Sequence, residues 1–225
     1  MSGALRLEEA VEFADNPEPR CPCVLLLDTS GSMSGEPINA LNEGLRTFKD
    51  ELNQDDLAKK RVEVAIVSFD SDVKVVRDFV TADRFDPPTL TTKGLTHTGS
   101  GINKALDMIQ SRKSQYRANG VSYYRPWVFL ITDGEPQGEL PDLVERAARR
   151  IKEEESKKGV AFFAVGVEGA NLTRLSQIVV RTPLKLKGLS FRELFVWLSA
   201  SMQSVSHSKL DQQVPLLAPS GWAEV

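Results

Sequence analysis

Three short stretches of this chain place oxygen-bearing side chains next to apolar runs or inside a turn-rich segment. The first is Asp28-Thr29-Ser30-Gly31-Ser32, directly after the apolar run Cys23–Leu27. The second is Gly94-Leu95-Thr96-His97-Thr98-Gly99, within a stretch rich in Pro and Thr. The third is Thr132-Asp133-Gly134-Glu135, directly after Trp127–Ile131. Carboxylates and hydroxyls, with no sulfur and no obligatory imidazole, form a donor set suited to a hard cation such as Mg²⁺, Ca²⁺ or Mn²⁺. Two converging carboxylates repel one another unless positive charge lies between them. A compact set with few carboxylates favours Mg²⁺, which keeps several of its waters. Gly31 lets the first loop bend so that both serines turn toward one point.

Residues this far apart in sequence meet only if the surrounding elements bring them together. Cys23–Asp28 and Trp127–Asp133 read as strands buried on both faces and ending in a carboxylate. Arg61–Phe69 reads as a second strand, with Val73–Phe79 its hairpin partner across Asp70-Ser71-Asp72. Val160–Val167 is a further buried strand, and Leu184–Leu186 a short one at the sheet edge. A helix is predicted from Pro37 to Leu52, where Ile38, Leu41, Leu45, Phe48 and Leu52 form one apolar stripe. Further helices are predicted over Ser100–Arg117, Pro141–Lys157, Leu172–Val180 and Ser190–Ser206, with Ser190 a candidate cap. The alternation predicts an α/β fold: a doubly wound, Rossmann-like, mostly parallel sheet of about six strands with helices on both faces and one antiparallel edge strand. In such sheets ligands bind beyond the carboxyl ends of the strands, near the topological switch point.

The 225 residues suit one large domain, here 21–207, with an N-terminal arm over 1–20 and a tail over 208–225 that packs on or near it. The chain is 41% hydrophobic and 26% charged, enough for a sizeable core without metal or disulfide staples. The net charge of −3 and the lack of a basic-aromatic stripe argue against nucleic acid. Nothing approaches the roughly 18 apolar residues that a membrane span needs. Residues 1–16 lack the basic start and apolar stretch of a signal peptide. The two cysteines, Cys21 and Cys23, are expected on opposite faces of one strand, where a disulfide is geometrically poor. A cytoplasmic location is therefore expected.

The three stretches, in this order, resemble the metal-ion-dependent adhesion site of von Willebrand factor A-type (VWA) domains. The resemblance spans about residues 20–207. It implies a metal held by Asp28, Ser30, Ser32, Thr96 and Asp133, with Thr98 an alternative to Thr96. It also implies direct ligation by the three hydroxyls, a place for Asp28 and Asp133 with or without an intervening water, and an open position for a carboxylate from a protein partner. The wording Leu27–Met33 with Asn39–Gly44 resembles the bacterial tellurium-resistance-associated TerY-like branch, and the Asn16–Arg20 arm and Gly221-Trp222 tail resemble its YegL-like members. That branch implies a role in stress signalling.

Several rival readings fare worse. A Mg²⁺-dependent phosphohydrolase, the main alternative, typically has a second Asp two residues after its nucleophile, where this chain has Ser30. No Gly-x-Gly-x-x-Gly turn follows the first strand, and Met33 stands where a Gly-x-Ser-x-Gly hydrolase needs serine. His97 has no nucleophile and orienting acid around it, so it reads as a loop histidine, and no enzyme activity is expected. Asp70 and Asp72 read as hairpin-turn residues, and Glu135 is equally suited to capping its turn or binding a metal-bound water. Glu153–Glu155 with Lys157-Lys158 reads as a solvated helix end rather than a binding tail.

Overall fold

The computed structural model describes residues 11–210, 212, 214–219 and 221–224. Among these residues seven strands form one sheet: β1 (Cys21–Asp28), β2 (Val62–Phe69), β3 (Val73–Thr81), β4 (Trp127–Thr132), β5 (Ala161–Gly166), β6 (Leu184–Leu186) and β7 (Ala223–Glu224). Their order across the sheet is β3-β2-β1-β4-β5-β6-β7. The inner pairs are parallel, while β3 runs antiparallel on β2 and β7 antiparallel on β6. The predicted doubly wound α/β architecture is therefore present. The strand beyond the expected six is β7, two residues long and too short to announce itself in sequence.

The helices are α1 (Glu36–Asn53), α2 (Ala58–Arg61), α3 (Thr98–Ala118), α4 (Pro141–Ser156), α5 (Leu172–Ile178) and α6 (Phe191–His207). All residues of β1, β2, β4 and β5 are buried because helices cover both faces of the sheet. On one face Leu41, Leu45 and Phe48 of α1 and Phe191, Phe195 and Leu198 of α6 meet Leu25, Leu27 and Ile66. On the other, Ile102 and Leu106 of α3 and Val144 and Ile151 of α4 meet Val24, Leu26 and Val67. A Cβ on Gly44 would come within 2.5 Å of the Phe195 ring, so this glycine sets how closely α1 and α6 approach.

Sequence reasoning missed α2 and two short 3₁₀ turns, Gly31–Met33 and Ala82–Arg84, which carry too few residues to show a period. It also placed the cysteines wrongly. Cys21 and Cys23 are two residues apart, one full strand period, so both point into the core shared with α1 and α6. Burial pushes the Cys21 thiol up to about 12, with a smaller push from Glu63, and raises Cys23 as well. Both are packing residues rather than nucleophiles. Ser190 stands at the N-cap of α6, but its side chain makes no capping bond.

The chain leaves β1 to build β2 and β3 on one side, then re-enters on the other side as β4. The switch point thus lies between β1 and β4, and the pairing of Leu27 with Ile131 sets Asp28 beside Thr132 at its mouth. At the far end of the sheet, Glu63 of β2 is fully buried. It accepts from Arg20 (2.9 Å), from Arg112 of α3 (2.8 and 2.9 Å) and from the Tyr116 hydroxyl. These bonds pin the C-terminal half of α3 to the sheet.

Candidate metal centre

Asp28 ends β1 and is fully buried. One carboxylate oxygen accepts the Ser30 N–H at 2.8 Å, which closes the tight turn that begins the first loop. The other accepts the Thr132 hydroxyl from the end of β4. Asp28 thereby fastens the two strands that flank the switch point.

Beyond it a chain of side chains crosses the crevice. The Ser30 and Ser32 hydroxyls lie 3.0 Å apart, and Ser32 donates to Asp133 at 2.8 Å. Ser30, Ser32, Thr96 and Asp133 line one cleft of about 370 Å³, together with Glu135 and Gly134. Thr96 comes from the second loop, and its hydroxyl lies 3.4 Å from the point where a Cβ on Gly134 would sit. Thr98 is absent from the cleft wall and is buried in the first turn of α3. Of the five predicted residues, four face the cleft and Asp28 sits behind them.

The second loop must be held in place to present Thr96, and four ties do this. Lys93 N–H donates to the Thr29 carbonyl at 2.9 Å, and Gly31 N–H to the Gly94 carbonyl at 3.1 Å. Buried Asn42 of α1 makes a reciprocal pair with the Leu90 backbone, at 3.0 and 2.8 Å. His97 N–H donates to the Asp70 carbonyl at 3.0 Å, while the Asp70 side chain accepts from Thr29 at 3.1 Å. Gly94, at φ 67°, lies against Ser71, where a Cβ would meet the Ser71 hydroxyl at 2.3 Å. Glu139 ties the third loop to the start of α3 by accepting from the Gly99 and Ser100 N–H groups at 2.6 and 3.0 Å.

Asp70, Asn42, Thr132 and Glu139 were not picked out as site residues. Asp70 does form the hairpin turn, since the Asp72 N–H donates to it at 2.9 Å, but it also bridges two loops. Its position at the end of the strand beside β1 was the one signal available. Glu135 accepts from Asn171, the N-cap of α5, at 2.5 Å. Ser34 bonds Thr92 at 2.7 Å, a further link between the loops.

Burial pushes the Asp28 carboxyl up to about 6; the bonds from Ser30 and Thr132 oppose the shift and the Asp133 charge adds to it. Asp133 is also raised by burial, against the bond from Ser32. Burial is thus the chief reason that both carboxyls stand above the ordinary range. The donors are hydroxyls and carboxylates only, and among the described residues no group of three or more His, Cys, Asp or Glu side chains is placed to hold a metal ion. A hard divalent cation fits this set, and a thiolate- or imidazole-seeking ion fits it less well.

The family model for the von Willebrand factor type A domain matches residues 23–191. Human collagen alpha-6(VI) chain is 28% identical over 171 residues, covering 72% of this chain and 7% of that protein. This chain thus corresponds to a small part of that relative. Among solved structures, the pilus adhesin SpaC from Lactobacillus rhamnosus GG superposes with TM-score 0.66 at 14% identity, covering 83% of this chain and 30% of that one. The vWF domain of the pili tip protein Mfa5 from Porphyromonas gingivalis gives 0.58 at 10%, covering 84% and 94%. Mussel proximal thread matrix protein 1, described with a zinc-occupied MIDAS motif, gives 0.54 at 18%, covering 82% and 48%.

Proposed function

Because the chain belongs to the von Willebrand factor type A domain family, we propose that it is a non-enzymatic, metal-dependent protein-interaction module. The metal is Mg²⁺, with Mn²⁺ and Ca²⁺ the alternatives. Ser30, Ser32 and Thr96 supply neutral hydroxyl donors, Asp133 a charged one, and Asp28 acts from behind through the groups it orients. The observation that carries this reading is the run from Ser30 to Ser32 to Asp133, at 3.0 and 2.8 Å, which spans the switch point at the floor of an open cleft. A bound cation would supply Lewis acidity toward an anionic oxygen of the partner. This chain's part is to hold the hydroxyls convergent and to leave the outer face of the cleft free. Mostly neutral donors keep the ion electron-poor, so a carboxylate from a protein partner completes the shell.

The TerY-like branch, a role in stress signalling and a cytoplasmic location belong to the same proposal. They are supported by the wording of residues 27–33 and 39–44 and by the two buried, unpaired thiols.

Calorimetric titration with Mg²⁺ tests the metal, and a pull-down with and without Mg²⁺ tests the partner. The expectation is saturable metal binding, and metal-dependent capture that Asp28→Ala removes. Equal metal binding by wild type, Asp28→Ala and Ser32→Ala overturns the site. Phosphoester turnover that needs Mg²⁺ and disappears in Asp28→Asn would replace the binding module with a phosphohydrolase.

A further inference from the structure

At the end of the sheet opposite the metal centre lies a larger cleft, of about 1020 Å³. It opens at the N-terminal ends of β4 and β5, about 20 Å from Asp133 at roughly 3.3 Å per strand residue. Six cations line it: Lys113, Arg117, Arg125, Lys157, Lys158 and Arg181. No carboxylate does so among the described residues. In a chain of net charge −3 this is a strong local concentration of one sign.

Part of that charge is already spoken for. The Glu155 side chain is nearly buried, and it pairs with Arg125 at 2.6 Å and with Arg181 at 2.9 Å. It is a structural hub rather than part of a solvated helix end. Lys113 lies 3.9 Å from Glu154. Arg117, Lys157 and Lys158 form no ion pair with any described carboxylate. Among the described residues, Arg117 donates to the hydroxyls of Tyr123 (3.3 Å) and Ser114 (3.2 Å). Among the described residues, these three exposed cations rim the cleft without a partner of opposite charge.

The walls mix polar and apolar groups. Tyr123, Tyr124, Trp127 and Phe163 contribute rings, and Val214 and Leu216 of the tail close one side. A cationic rim over aromatic walls matches a peptide that offers carboxylates beside an apolar side chain.

We propose that this cleft is a second docking surface, independent of the metal, for an acidic protein segment that anchors an apolar or aromatic side chain between Trp127, Phe163 and Leu216. Nucleic acid suits it less well, because the cations rim a single pocket and form no stripe along which a backbone could run. With a partner carboxylate on the metal, the domain would join two acidic proteins from opposite ends of its sheet.

The test uses the full chain and a fluorescein-labelled peptide alternating glutamate with phenylalanine. Anisotropy should show saturable binding that weakens with salt and is unchanged by EDTA. In Arg117→Gln/Lys157→Gln/Lys158→Gln it should weaken about tenfold, equivalent to about 1.4 kcal/mol. All three residues are exposed, and circular dichroism checks that the fold is retained. Absence of saturable binding, equal affinity in the folded triple variant, or loss of binding with EDTA overturns the proposal. Tighter binding of a single-stranded oligonucleotide at the same salt overturns it in favour of nucleic acid.

Discussion

Of the five residues proposed to hold the metal, Asp28 has the least access to the cleft. Its carboxylate accepts from Ser30 and Thr132 behind the cleft wall, so its proposed influence on a cation passes through the groups it orients. Thr132 is then the residue to change. Thr132→Val keeps the shape of a fully buried side chain but removes the hydroxyl that holds Asp28. Loss of such an outer partner typically costs 10–100-fold in metal affinity. Mg²⁺ titration should show a weakening of about that size, and the thermal midpoint should fall as well, because a buried carboxylate oxygen and the Gly134 N–H lose their partner. A variant that binds as wild type would show that Asp28 needs no such support. Sequence made Asp28, Ser30, Ser32, Thr96 and Asp133 visible because each stretch announces itself locally. Thr132, Asp70 and Glu139 stayed hidden because their partners lie 104, 41 and 40 residues away.

Among the elements, α1 does more than fill the core. Asn42 projects from it to clasp both the N–H and the carbonyl of Leu90, so the helix is the anchor for the long loop that ends in Thr96. Asn42→Ala strands those buried backbone groups, at a cost of about 1–3 kcal/mol. Urea denaturation should show that loss, and Mg²⁺ should bind more weakly because the loop is no longer fixed. Unaltered affinity would mean that the other ties suffice. A different contact joins α2 to α6. Burial works to raise the Asp55 carboxyl, but the N–H groups of Ala58 and Leu57 and the imidazole of His207 prevail and hold it below the ordinary range. A depressed carboxyl stabilises the fold above its unfolded pKa, near pH 4, and loses that contribution as the pH falls through its folded value. Asp55→Asn should therefore melt below wild type at pH 7, with the gap closing below about pH 4. A gap that persists in acid would assign the effect to packing.

For the whole molecule, the alternation of apolar strands and amphipathic helices was legible, because burial on two faces leaves strands that are apolar throughout. The α2 turn and β7 were not, since a few residues cannot display a period and depend on what they pack against. β7 belongs to the tail, whose Trp222 is fully buried with its ring 5.2 Å from Trp197. Trp222→Ala should cost about 3–5 kcal/mol. Mg²⁺ affinity should not change, because the proposed metal centre lies at the switch point and Trp222 beside the sheet's far strand. A change in affinity would show that the two ends are coupled. The pairing of Ala223 and Glu224 with β6 has a further effect. A strand whose ladder is open on one side offers its N–H and carbonyl groups to any other chain that can lie alongside. The tail occupies that place on β6, backed by the Lys185–Glu224 ion pair. A chain cut after residue 207 should thus self-associate through β6, and light scattering against concentration would register the aggregates that the intact protein avoids.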